Sequence, residues 1–487
     1  MLRVWLPENP LRVALWSGAA VLVGLLALLL GGAIAIGFYT VPALLVALLI
    51  GGVFLQLPDR HAVLLLMAVV LLLQGTVGYY SGFTKISWLA YGLAGLFAVK
   101  LLARLLAASS QIKSDTPVWA YPFFAFAVIA LLGVLINRPQ LPQLIAGFKN
   151  QLPFWLVAFY LPMARLDDRD WSNIWRFLLV VLVCQVPLAL HQHFFIAAAR
   201  AVMGWDAVVG SFGGNPDAGG LNAVMVLYAV VAVLLVISLY LDKKMSLRHA
   251  LFYGVCAMMV ILLGEVKAAF VWLPVGVLLL LGKRLVRKPL TLLSVLLALG
   301  LFVAVVDLTY EKLYWADVPQ KGFSENAAHS VDYFFDSKLI DPKTGEVSRG
   351  ASIALWVNDR SLDPYARLLG NGIGSSVSGA ISIGSAAKRY APLDIGSTGV
   401  AVLLWDYGVV GFICYVGIFL VAIIGIWRSK DAAVSASSSR LVVAVLFLCL
   451  FTLIYNRTLI DEPATQLLVA LALGYTARKK VRESGNA

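Results

Sequence analysis

The 487 residues are 61% hydrophobic and 13% charged, with a mean hydropathy of +0.88. Soluble domains are about 45–50% apolar and about 25% charged, so an ordinary soluble enzyme or binding module is excluded. The formal net charge of +12 has to be explained on a membrane chain before any nucleic-acid partner is invoked.

Long apolar runs recur along the chain, and lipid accepts such a backbone only as helix or closed barrel. They fall near 13–35, 40–57, 62–78, 86–106, 118–136, 152–163, 174–197, 219–241, 249–264, 266–282, 291–308, 398–427, 441–456 and 463–477. This predicts an all-α polytopic membrane protein of about 12–14 transmembrane helices. The first run ends in Ala33-Ile34-Ala35, which resembles a signal-peptidase site, although the span that follows at once favours its retention. The run at 152–163 is short and flanked by Pro153 and Pro162; it reads as tilted, re-entrant or joined to its neighbour.

With the N-terminus placed in the cytoplasm and sides alternating, inside segments hold 23 of the 38 Lys and Arg residues. Outside segments hold 15, nine in one long loop and six in all the short ones. That bias follows the positive-inside rule. The basic excess therefore sets topology, with both termini cytoplasmic, and no nucleic acid is needed to account for it.

Cys184, Cys256, Cys414 and Cys449 all lie inside apolar runs, which reads as small core residues rather than disulfides or metal ligands. His191 and His193, two apart on a helix, point about 200° from each other and cannot share one metal. The outer loop "VGSFGGNPDAGGLNAV" (209–224) reads as a tight turn with Asn215 or Asp217 capping the next span. Glu265 and Lys267, in "LLGEVKAAF", fall at an outer hairpin between two spans. Either they snorkel at the membrane edge, or they form a functional site, the lysine suiting an anion such as a lipid-linked diphosphate.

Residues 309–397 depart from the hairpin pattern. They form one large extracytoplasmic loop domain between the membrane parts 1–308 and 398–487. A connection of this length usually carries function. Within it "ASIALWVN" reads as a short helix or strand, and "DPKTGE" and "NGIGSS" read as turns. "GNGIGSS" lacks the Gly-Lys-Ser/Thr end of a nucleotide loop, leaving a flexible turn or a backbone phosphate cradle. Arg349, Arg360, Arg367, Lys388 and Arg389 supply cations, arginine being able to grip phosphate oxygens bidentately. Asp394 and Ser397 close the loop, and Asp406 falls inside the next span, where it needs partners.

Taken in order, these pieces resemble the O-antigen ligase and polysaccharide polymerase superfamily of membrane glycosyltransferases (WaaL-like and Wzy-like). "GSFGGNPDAGGLNAV" is similar to the family's glycine-rich turn ending in Asn-Pro-Asn, with Asp217 in the last place. "LLGEVKAAFVWLPVGVLLLL" looks like the stretch in which a Ser-Arg pair opens a helix, Lys267 falling at the arginine. "RGASIALWVNDRSLDPYARLLGNGIGSS" resembles the long-loop segment. "STGVAVLLWDYGVVGF" resembles the segment His-Asn-x-x-Leu…Glu-x-Gly-x-x-Gly, with Asp406, Gly408 and Gly411 at the acid and glycines. The likeness covers about 209–411. The family's histidine, proposed to deprotonate the acceptor, falls on Ser397, with Thr398 at the asparagine.

The resemblance implies transfer of a glycan from a polyprenyl-diphosphate carrier to a sugar hydroxyl on the outer face of a bacterial inner membrane. It implies no metal and no cofactor. Lys267 and Arg349 would stabilise the leaving diphosphate, with Arg360 or Arg367 assisting and Arg389 in the substrate-binding set beside Asp217 and Ser397. Asp394 or Glu265 stands nearest as a base, and His329 is further away in sequence. The departures favour a polymerase of exopolysaccharide, capsule or O-antigen repeats, working with a flippase and a chain-length regulator. Transfer to lipid A-core or protein is the alternative, and a flippase or secondary transporter a second one.

Overall fold

The computed structural model describes residues 49–107, 116–164, 166–199, 204–216, 219–282, 285, 288–313, 334–378, 384–428 and 436–485. The chain divides into two compact units at Pro58, and residues 49–56 of the first are helical. All helices named below belong to the second unit, Asp59–Ala487. Asp217, His329 and the apolar run at 13–35 lie outside the described residues.

Among the described residues nine helices are long and apolar enough to cross a membrane. In chain order the first elements are α1 (Asp59–Ser81), α2 (Ser87–Ala107), α3 (Ala120–Asn137), α4 (Leu141–Gln151), α5 (Pro153–Tyr160) and α6 (Asp168–His191). Next come α7 (Asn222–Leu241), α8 (Leu247–Gly264), α9 (Ala269–Leu281) and α10 (Pro289–Leu313). The polar segment contributes α11 (Arg349–Asn358), α12 (Pro364–Leu369) and α13 (Ser385–Tyr390). The chain closes with α14 (Gly399–Arg428), α15 (Ala436–Tyr455), α16 (Thr458–Asp461) and α17 (Pro463–Gly485).

Local chemistry sets several boundaries. Asp167 caps α6 in a reciprocal capping box with Asp170, while Ser246, Ser348 and Asp363 cap α8, α11 and α12 through their side-chain oxygens. Pro153 separates α4 from α5, so the short run at 152–163 is joined to a neighbouring amphipathic helix.

Burial separates the helices into central and peripheral ones. The apolar window of α7 is 72% buried and that of α15 61%, against 11% for α10, whose Leu290, Leu297 and Leu301 face outward. In water such a helix would be unstable; exposed leucine stripes suit lipid. Helices α7, α9, α14, α15 and α17 pack around one another, with α2 against α5, α3 against α14 and α6 against α8.

The described parts of 309–397 share their core with the membrane helices. Trp356, Leu362, Ala386, Ala387 and Ile395 pack with Ala401, Leu404 and Trp405 at the start of α14. "ASIALWVN" is helical, within α11, and "DPKTGE" is a turn closed by the Ile340–Val347 bridge, with Lys343 N donating to Asp341 Oδ1.

Candidate functional site: a cation–carboxylate cluster at one set of helix ends

The turn between α15 and α17, "NRTLIDEP", collects the cluster. Arg457 donates from Nη1 to both oxygens of Asp394 (3.2 and 3.3 Å) and pairs through Nε with Asp461 Oδ2 (2.9 Å). Two carboxylates from separate segments thus share one guanidinium fork, a geometry an ammonium could not serve. Nearby charge holds Arg457 above its ordinary range, that of Asp461 first and Asp394 in support. Burial raises Asp461 despite Arg457, and burial with Asp461's charge raises Glu462 well above the ordinary carboxylate range. Glu462 stands at the start of α17, its backbone carbonyl accepting from Gln466 N (3.1 Å).

Arg349 reaches the same turn from α11. Its Nε donates to the Tyr455 carbonyl (3.3 Å), and its guanidinium lies 5.8 Å from the ring centres of Phe334 and Tyr455. On another side Trp272 of α9 meets Tyr455 edge-on at 5.4 Å. Lys267 and Glu265 lie in the hairpin that leads into α9. Glu265 ends α8 in the left-handed region (φ 46°), and Asn222 at the head of α7 donates to the Gly264 carbonyl. Burial lowers the Lys267 ammonium, with Glu265's charge partly offsetting. Arg349, Asp394 and the helix that Lys267 leads into therefore converge on residues 455–457.

The remaining predicted cations do other work. Arg367 donates to the carbonyls of Val357 (3.3 Å) and Asp359 (2.8 Å), closing the end of α11, and lies against Trp356. Arg389 donates to Ser361 Oγ (2.9 Å) and Asn371 Oδ1 (3.3 Å), and its guanidinium sits 5.9 Å from the Trp405 ring centre. Arg360 is exposed on the same polar segment. Ser397 has a buried hydroxyl with no hydrogen-bond partner among the described residues. Thr398 beside it caps α14, accepting from Ala401 N (3.1 Å).

A phosphate cradle at "GNGIGSS" does not hold, because those amides are already used. Helix α14 breaks at Gly408 (φ 66°), and the turn wraps the break. The Asp406 carboxyl accepts from Gln151 Nε2 (3.0 Å), Gly374 N (3.0 Å), Ser375 Oγ (2.9 Å) and Ser376 N (2.8 Å). The Asp406 and Trp405 carbonyls take the amides of Gly372 (3.0 Å) and Asn371 (2.8 Å). A Cβ at Gly408 would collide with the Leu368 carbonyl, and one at Gly370 (φ 77°) with the Asp406 carbonyl.

Two more features complete this end of the bundle. The loop 207–213 is buried, held by Gln192, which accepts from Val209 N (2.9 Å) and Gly210 N (2.7 Å), and by Gln185, which accepts from Ser211 N (2.8 Å). His191 bonds Tyr80 and stacks on Phe195, and His193 packs edge-on against Phe194. The second is a wall beside the 455–462 turn. Lys149 of α4 lies over the rings of Trp88 (5.0 Å) and Tyr91 (4.7 Å), and Tyr91 donates to the Asp461 carbonyl.

Sequence reasoning missed Arg457, Asp461, Glu462 and Lys149. The available signal was "NRTLIDEP" itself, three ionisable residues within six positions between two spans. No protein-family model matches the chain, and no curated protein sequence matches it.

Proposed function

We propose that this multi-pass membrane protein is a glycosyltransferase of the bacterial inner membrane. It joins polyprenyl-diphosphate-linked oligosaccharide repeats into a polysaccharide on the outer face, with both termini cytoplasmic. A flippase would deliver the repeats and a chain-length regulator would set product size. The observation that carries the reading is the convergence of Arg349 and the Arg457–Asp394 pair on the residues 455–457, next to the helix that follows Lys267.

A diphosphate leaving group gains charge as the anomeric carbon–oxygen bond breaks, and fixed cations at that oxygen lower the barrier most. Arg349 and Lys267 fill that role, and Arg457 adds a third cation whose charge is balanced by Asp394 and Asp461. Asp394, tied to Arg457 through both oxygens, orients that group. Arg360 remains available to the glycan on the surface of the polar segment, while Arg367 and Arg389 shape that segment from within.

The test is to delete the gene, express Lys267→Ala or Arg349→Ala at normal levels, and size both carrier-linked and exported glycan. Single unpolymerised repeats are expected, with turnover reduced roughly a hundredfold or more. Normal polymer length in both strains would overturn these roles. Normal length without surface attachment would identify a ligase, and carrier-linked units trapped on the inner face a flippase.

A further inference from the structure

The family-like segments leave the proton of the acceptor hydroxyl without a destination, since Ser397 stands where a base would be expected and Asp394 is bound by Arg457. Glu462 is differently placed. It makes no ion pair among the described residues, and it adjoins Asp461, whose carbonyl takes the Tyr91 hydroxyl. The charged groups around it are Asp461 and Arg457 on its own turn, Lys149 on α4, the Tyr91 phenol on α2 and, across Arg457, Asp394.

The adjoining wall is suited to a sugar. Trp88 is 45% exposed and offers an aromatic face beside the Lys149 ammonium. Gln466, only 8% exposed, spans from this wall to the turn, donating to the carbonyls of Asn150 (2.6 Å) and Ile460. Its own carbonyl oxygen is buried with no hydrogen-bond partner among the described residues. A buried acceptor without a donor is costly. An aromatic face, a cation and a carboxylate together match the surfaces of a pyranose better than those of a lipid or peptide.

We propose that Glu462 takes the proton from the acceptor sugar hydroxyl, and that the Trp88–Tyr91–Lys149 wall beside it receives that sugar. This rests on the glycosyl-transfer reading above. The acceptor oxygen forms the new bond to the anomeric carbon. The bond from that carbon to the phosphate oxygen breaks, and its electron pair leaves on the diphosphate. The hydroxyl proton passes to the Glu462 carboxylate, so the step balances without an oxidant or a further reactant. Burial and the charge of Asp461 raise the proton affinity of Glu462, which strengthens it as a base.

The experiment uses the full-length protein in lipid nanodiscs and carrier-linked glycan extracted from the deletion strain. Glu462→Gln should cut turnover about a hundredfold or more, while binding of undecaprenyl diphosphate alone stays within about threefold of wild type, the same factor below which we count no change. The acidic limb of the wild-type kcat/KM profile should vanish in this variant, and formate should partly restore Glu462→Ala. Trp88→Ala should raise KM for the acceptor more than it lowers kcat. Wild-type turnover in Glu462→Gln, or an acidic limb that survives in it, would overturn the assignment and leave the glycosyl-transfer reading standing. If the wild-type protein forms no glycosidic product from this substrate, both fall together.

Discussion

A carboxyl group whose proton affinity is higher in the folded than in the unfolded chain costs stability as the pH rises. Glu462 is such a group, raised by burial and by Asp461. Below the ordinary glutamate range the folded and unfolded chains are both protonated there and nothing is lost. As pH rises, the unfolded chain ionises first, so stability falls until the folded group ionises as well. Glu462→Gln removes that liability. Its thermal midpoint should match wild type near pH 4 and exceed it by a few degrees at pH 8, as read by differential scanning fluorimetry. Asp359 has the opposite sign. Burial pushes it up, but the hydroxyl and amide of Ser361, with Tyr390 and Arg389, together outweigh that and hold it below its usual range. Such differences were not legible in the sequence, because each begins with burial, which is set by how chain-distant segments pack. Arg457 entered the sequence reading only as one basic residue of a short loop, yet in the fold it gathers Asp394 and Asp461.

At the scale of elements, apolar runs marked most helices well. The run at 219–241 is Asn222–Leu241, and that at 398–427 is Gly399–Arg428. Hydropathy alone decides these, since a long apolar stretch in lipid has few conformations open to it. It does not see interruptions. The break at Gly408 lies inside a continuous apolar tract, and the loop 207–213 is buried because Gln185 and Gln192 serve its amides. Asp406→Ala should cost about 3–5 kcal/mol, because it strands several buried donors at once. Gly408→Ala should cost a comparable amount through its collision with Leu368 and its positive φ. Both are measured as lost folded yield and lowered thermal midpoint in detergent. An undiminished midpoint for Asp406→Ala would mean that the turn is held from elsewhere.

Across the whole second unit, polar contacts sort by helix end. Arg104 with Asp59, Arg60 with Asp170, and Ser437 with Asp242 join one set of ends. Tyr91 with Asp461, Asn150 with Gln466, and Asn222 with Gly264 join the other. These pairings agree with the alternation of sides inferred from Lys and Arg counts, an argument that used no contact at all. Absolute orientation is then open to labelling. In a background lacking the four native cysteines, Lys338→Cys should react with a membrane-impermeant maleimide in intact spheroplasts. Lys244→Cys, exposed at the opposite ends, should react only after permeabilisation. The reverse pattern would turn the molecule over and remove the cluster from the proposed face.

The seizure of the glycine turn by Asp406 has a kinetic consequence. Loops ordinarily exchange their amide hydrogens with solvent within seconds, since they open without disturbing the rest of the fold. Here Gly372, Gly374 and Ser376 donate to the backbone and carboxyl of a residue with no exposed surface. Deuterium should therefore enter this turn as slowly as it enters α14. By that clock residues 370–376 belong to the transmembrane core, although their composition is that of a surface linker.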